Sequence, residues 1–114
     1  MRAALSDAIH SCVEDVLGLP ASKRAHRFIG LDPEDFIRPP DRSAAYTIVE
    51  ISMFAGRSAD AKRRLLELLM TRVVEQVGIP AIDLEITIFE TPPANWGIRG
   101  QTGDRLALPY RIDV

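Results

Sequence analysis

Apolar residues recur every three or four positions through 2–17, at Leu5, Ile9, Cys12, Val13 and Val16, while Ser6, Asp7, His10, Ser11 and Glu14 fill the gaps. That spacing predicts an amphipathic helix with His10 on its solvated side. Gly18 can adopt the left-handed conformation that ends a helix, and Pro20 blocks its continuation. A second stripe, Ala61, Leu65, Leu68, Leu69, Val73 and Val77, predicts another helix, which Gly78 and Pro80 end in the same way. Ser58 is a good N-cap for it, and Asp60 adds negative charge to its first turn. Residues 46–54 are rich in β-branched and aromatic types and read as a strand. In 83–90, Leu84, Ile86 and Ile88 alternate with Glu85 and Thr87, the period of a strand with one half-polar face.

The two helical stretches belong to a repeat. Gly18-Leu19-Pro20-Ala21 returns sixty positions later as Gly78-Ile79-Pro80-Ala81, and the same offset aligns Leu5 with Leu65, Val13 with Val73, Leu17 with Val77, Pro33 with Pro93 and Phe36 with Trp96. The chain therefore reads as a single domain, 1–114, made of units 1–45 and 46–114. By analogy with its copy, 23–31 is expected to be a strand. The second unit is strand–helix–strand, which predicts two parallel strands joined by a right-handed crossover. The first unit shows only helix and strand. Projecting Tyr46 back places a leading strand about 14 residues ahead of Met1, and its absence predicts an exposed sheet edge or a gap. Residues 32–45, with Pro33, Pro39 and Pro40, are expected to be irregular, and 109–114 to add a short edge strand. The fold class is α+β: tandem β-α-β units with two helices on one face of a mixed sheet.

Composition narrows the function classes. A net charge of −2 and 26% charged residues argue against a general nucleic-acid or membrane-surface binder. The single cysteine, Cys12, excludes an internal disulfide and reads as a core residue. No apolar run reaches a membrane span, and no signal-peptide pattern opens the chain, so the expected location is the cytoplasm. No nucleotide loop, nucleophile elbow or zinc motif is present, so neither cofactor nor metal is expected.

Two turns carry a likeness. Ala55-Gly56-Arg57-Ser58 stands between strand and helix, and Asn95-Trp96-Gly97-Ile98-Arg99-Gly100 follows the last main strand. With the tandem units, these segments resemble the tautomerase superfamily, and most closely its longer bacterial members such as malonate semialdehyde decarboxylase and cis-3-chloroacrylic acid dehalogenase. The resemblance implies a MIF-like fold, a homotrimer, an N-terminal proline as acid–base group, and arginines that hold a small carboxylate or 2-oxo acid. A secondary amine near an apolar pocket and positive charge has a lowered pKa and can move a proton near neutral pH. A guanidinium holds two oxygens at once. The chain departs from this pattern in three places. It opens Met1-Arg2-Ala3, so the first strand and its proline are expected to be missing. The acidic position after the first helix falls at or near Lys23. The partner of Arg57 in the usual arginine pair is Ala55.

The candidate ligand-binding residues are Arg57, Trp96, Arg99, Ile98 and Arg27. Arg57 precedes a helix N-terminus, where backbone N–H groups favour anions; the bland account is a solvated turn arginine. Trp96 and Ile98 can wall a pocket or simply plug the core. Arg99 can reach a carboxylate or lie idle on the surface. Arg27, aligned with Thr87, faces a pocket or an interface. His26, aligned with Ile86, reads as a packed histidine. The run Lys62-Arg63-Arg64 reads as a solvated face, with Glu67 available for pairing. The functional expectation is keto–enol tautomerisation or binding of a small 2-oxo acid. The alternative is a non-enzymatic oligomeric scaffold or ligand binder of the same fold. An RNA-binding module is the third reading, and 46–54 lacks the basic residues it requires.

Overall fold

The computed structural model describes residues 1–114. Helix α1 spans Arg2–Leu17 and helix α2 spans Ala59–Val77. Both end where the glycines predict: Gly18 at φ 71° and Gly78 at φ 85°, each returning its N–H to helical carbonyls. Ser58 caps α2, its Oγ accepting from the Ala61 amide at 3.1 Å. Strand β1, Thr47–Phe54, pairs in parallel with β2, Leu84–Thr91, in a register from Thr47 beside Leu84 to Phe54 beside Thr91. A small antiparallel hairpin follows, β3 (Gly97–Ile98) with β4 (Gln101–Thr102).

The helices cover one face of the β1–β2 pair. Leu65, Leu69 and Val73 of α2 are fully buried, and with α1 they divide the core into two clusters. Cys12, Val13 and Leu17 meet Leu65, Leu69 and Met53; Leu5 and Ala8 meet Val73, Ile79 and Leu84. This arrangement fixes directions: α1 starts near Leu84 and ends near Met53, so it runs the same way as β1. Cys12 is a buried core thiol.

Several expectations need correction. Residues 23–31 are extended but form no strand; none of the backbone groups of 24–31 makes a hydrogen bond. A strand is defined by its partner, and this segment lies beside no other. The central sheet is thus a parallel pair, and the mixed character comes only from the separate hairpin. Residues 109–114 form no strand either. His10 is buried rather than solvated, at 1% exposure, because 20–26 folds back over α1. Its Nε2 lies 3.2 Å from the Pro20 carbonyl. The charge run does not pair with Glu67: Lys62 reaches Glu90 at 2.6 Å, and Arg63 and Arg64 lie against Asp60.

The irregular stretch between the units is pinned from afar. Asp83 is buried at 1% exposure and accepts from the Ser43 amide at 2.7 Å and the Ser43 hydroxyl at 2.5 Å. Arg42 adds a 3.0 Å contact to Glu85, and Phe36 stacks on Tyr46 at 5.1 Å.

Two outcomes follow. Leu65→Ala removes a fully buried side chain between both helices and β1 and should cost about 2–5 kcal/mol, read as a lower denaturant midpoint at unchanged slope; a loss well under 1 kcal/mol would contradict this packing. The Ser43 hydrogen bonds hold the Asp83 carboxyl below its ordinary range. Its contribution is therefore complete above the unfolded carboxylate pKa and vanishes as pH falls through the lowered folded value. Asp83→Asn should be less stable at neutral pH and lose less stability on acidification. Parallel acid limbs for the two proteins would remove Asp83 as the pin.

Candidate functional site

Arg57 follows Gly56 at the C-terminal end of β1. Gly56 has φ 141°, and a Cβ there would lie 2.9 Å from the Ile112 carbonyl oxygen, so the turn needs glycine both for its conformation and for the tail packed on it. Ser58 ties the tail further, its hydroxyl donating to the Val114 carbonyl at 3.0 Å. Enclosed this way, Arg57 is only 7% exposed. Its Nη1 donates to the Phe54 carbonyl at 3.0 Å, and its guanidinium lies 5.9 Å from the centre of the Tyr110 ring. Its Nε is buried and has no partner. Burial pushes its pKa down, against the opposing pull of Tyr110 and Glu90. An arginine starts so high that it stays charged at neutral pH.

Trp96 comes after a single 3-10 turn, Pro93–Asn95. Its ring meets Phe54 edge-on at 5.0 Å and 89°. Gly103 backs it closely: its amide donates to the Trp96 carbonyl at 2.8 Å, and a Cβ there would lie 2.4 Å from the Pro93 oxygen. The indole Nε1 is buried and unpartnered. Arg57, Trp96, Ile98 and Tyr110 line one end of a cavity of about 440 Å³ that continues under α1, between 23–29 and β1. Two buried donors without partners, one of them cationic, belong to residues that line a largely apolar space. Each orphan costs free energy that an acceptor regains, so this end of the cavity suits an anionic or carbonyl oxygen.

The other expected residues separate. Arg27 lines the same cavity farther along and is exposed. Arg99 sits at the tip of the β3–β4 hairpin at φ 53°, exposed, and does not line the cavity. His26 is half-buried as a packed residue; its Nδ1 lies 2.6 Å from Ser6 Oγ. Burial, with help from His10 and Arg24, pushes its pKa down. Tyr110 and Phe54 are the site residues that sequence reasoning missed. Phe54 was visible as the last strand residue before Arg57, whereas nothing local marks Tyr110, since the tail carries no periodicity.

Comparison with known proteins agrees with this geometry. Residues 23–99 match the family described as "Tautomerase enzyme". The chain is 35% identical over 57 residues to a 2-hydroxymuconate tautomerase of Comamonas testosteroni, which spans half of this chain and 90% of that protein. A second 2-hydroxymuconate tautomerase, from Pseudomonas putida, is 33% identical over 57 residues, again half of this chain and 90% of the relative. Among solved structures, malonate semialdehyde decarboxylase superposes with a TM-score of 0.79 at 25% identity, over 92% of this chain and 88% of that one. A fused 4-OT that forms an asymmetric trimer has the same fold, with a TM-score of 0.80 at 20% identity, over 90% of this chain and 85% of its own. With two thirds of its length matched and its fold shared throughout, this chain belongs to the tautomerase family.

Proposed function

We propose that this protein binds a small 2-oxo acid or related carboxylate at the Arg57 end of the cavity and promotes its keto–enol tautomerisation. The observation that carries this reading is that Arg57 and Trp96, whose Nε and Nε1 are buried without partners, both line one cavity. A guanidinium stabilises the negative charge that develops on oxygen as an enolate forms, and does so more strongly in a dry site than in water. The indole N–H adds a second, neutral donor. Ile98 and Phe54 supply the apolar wall that keeps water out. Likeness to 2-hydroxymuconate tautomerases supports the reaction class. Likeness to a trimeric fused 4-OT supports a homo-oligomeric protein.

One observation favours binding without turnover as a second reading. Both free donors are groups that do not exchange a proton near neutral pH, so they can polarise a carbonyl but cannot carry the transferred hydrogen. No helix is long and apolar enough to cross a membrane.

The two readings part on one assay. Purified protein mixed with 2-hydroxymuconate should speed its ketonisation over buffer, followed by ultraviolet absorbance. Arg57→Gln should lower kcat/KM at least about tenfold, the loss expected for a hydrogen bond to a charged group. Turnover that survives Arg57→Gln unchanged would exclude this site, and no turnover with retained binding would leave the second reading.

Binding has its own readout, because Trp96 is the only tryptophan. Titration with pyruvate should change the emission of Trp96 saturably. Arg57→Gln should weaken the apparent affinity at least about tenfold. Unchanged emission across the titration would show that the carboxylate settles elsewhere.

A further inference from the structure

Neither free donor of the site takes up a proton near neutral pH, so a nucleophile or proton carrier has to come from elsewhere on the cavity wall. Besides Arg57, the titratable side chains that line this cavity are Lys23, His10, His26, Arg27, Glu50 and Tyr110. Both histidines have a committed ring nitrogen: His10 Nε2 lies 3.2 Å from the Pro20 carbonyl oxygen, and His26 Nδ1 lies 2.6 Å from Ser6 Oγ. Arg27 and Glu50 are exposed and also border the second cavity, on the opposite face of the sheet, so they stand at the rim. Tyr110 lies against the Arg57 guanidinium. Lys23 is the group that is left. It is half-buried, lines the cavity under α1 and not the second one, and its amine makes no hydrogen bond or ion pair. The other lysine, Lys62, is engaged by Glu90 at 2.6 Å and lies outside this cavity.

Packing places Lys23 along the cavity. Leu19 packs on the core cluster that holds Leu17 and Met53, and Phe28 on the one that holds Leu5 and Leu84. Met53 is next to last in β1, and Leu84 lies beside its first residue, Thr47. The chain from Leu19 to Phe28 therefore travels from the end of β1, where Arg57 follows, back toward its start. Lys23 comes in the first half of that path, at a turn in which its amide donates to the Pro20 carbonyl at 3.0 Å. Leu17, Leu19, Met53 and Phe54 make the wall at this end otherwise apolar. A lysine amine free of any ion pair, in apolar surroundings that hold another cation, is in the setting where lysine attacks carbonyl groups.

We propose that Lys23 attacks the keto carbon of the 2-oxo acid held by Arg57 and carries it as an imine. The inference rests on the binding reading given above and names the reactive group that reading lacks. A carbon–nitrogen bond forms, and the carbonyl oxygen leaves as water with the two amine hydrogens. Once its nitrogen is protonated, the imine takes the electron pair of the adjacent carbon–hydrogen bond while that proton passes to water, which leaves an enamine. Reprotonation at carbon and hydrolysis return the keto acid and the free amine. Arg57 holds the carboxylate throughout, and the apolar wall keeps water from competing for the carbonyl. The cycle moves a hydrogen between carbon and solvent without asking the guanidinium or the indole to give one up.

Only three amines compete in the test: Lys23, Lys62 and the α-amino group of Met1. The protein is mixed with pyruvate and reduced with borohydride, which fixes an imine as a stable secondary amine. Intact mass should show one reduced pyruvyl group, and peptide mapping should place it on Lys23. Lys62→Arg should keep the adduct. Lys23→Arg should lower its yield at least about tenfold, and so should Arg57→Gln at subsaturating pyruvate. Exchange of the pyruvate methyl hydrogens in deuterium oxide, followed by proton NMR, should exceed the buffer rate and fall back to it in Lys23→Arg. The saturable Trp96 emission change with pyruvate should survive Lys23→Arg. An adduct on Lys62 or the Met1 amine instead of Lys23, or no adduct at all, would overturn the proposal. Beside either result, a saturating Trp96 response keeps carboxylate binding, whereas a flat response removes that reading as well. A Lys23 adduct with the same yield in Arg57→Gln would mark an amine that reacts without the site, and would overturn the proposal too.

Discussion

Backbone N–H and C=O groups need partners when they leave water, and this chain meets that demand at its centre with one parallel pair, β1 and β2. The rest of the architecture follows from how two helices rest on that narrow pair. α2 sits on a paired sheet and contributes the three most enclosed aliphatic side chains, Leu65, Leu69 and Val73. α1 has the same lengthwise pattern but rests partly on a void. It is held instead by the flank of α2 and by side-chain ties: Arg72 to Ser11 at 2.9 Å and Asp15 at 2.6 Å, and Ser6 to His26 at 2.6 Å. Surface ties of this kind hold position more than they add stability.

The tail shows how a turn arginine becomes buried. Taken alone, a guanidinium between a glycine and an N-cap serine is surface chemistry. Here Ile112 closes on Gly56, Ser58 binds the last carbonyl and Tyr110 covers the guanidinium, so the charge ends up dry. A buried cation with an unused N–H is costly unless something uses it. Glu90, which could neutralise it, is engaged by Lys62. Glu90 still acts on Arg57 from a distance, and the small anion proposed above is the complement of the charge that remains.

What the sequence revealed and what it hid divide along the range of the interactions. Helix ends were readable because Gly18, Gly78 and Ser58 act on neighbours within a turn. β1 and β2 were readable to within about a residue, since alternation is local. Segment 23–31 was read as a strand because its copy is one, yet pairing depends on a neighbour the segment itself cannot encode. His10 looked solvated on the helical wheel, and only the return of 20–26 across α1 buries it. The link between Ser43 and Asp83 spans forty positions and leaves no local trace. In the site, Arg57, Trp96 and Ile98 were legible through the two turns, whereas Tyr110 reaches them by a fold-back of the tail. Arg99 was legible only as a nearby arginine, and its left-handed backbone at φ 53° carries it out to the hairpin tip.

The sixty-position offset also sets two aromatic residues side by side for comparison. Phe36 and Trp96 occupy equivalent positions, but Phe36 stacks flat on Tyr46, a contact that leaves no polar atom to satisfy. Trp96 takes an edge-on contact with Phe54 and retains an indole N–H without a partner. Within residues 1–45 no turn repeats the Ala55-Gly56-Arg57-Ser58 sequence that supplies Arg57. Both helices thus end alike at Gly18 and Gly78, while the buried donors of Arg57 and Trp96 lie where the second turn and the tail converge. Equal helix ends with unequal surroundings are what remains when local signals recur and long-range contacts do not.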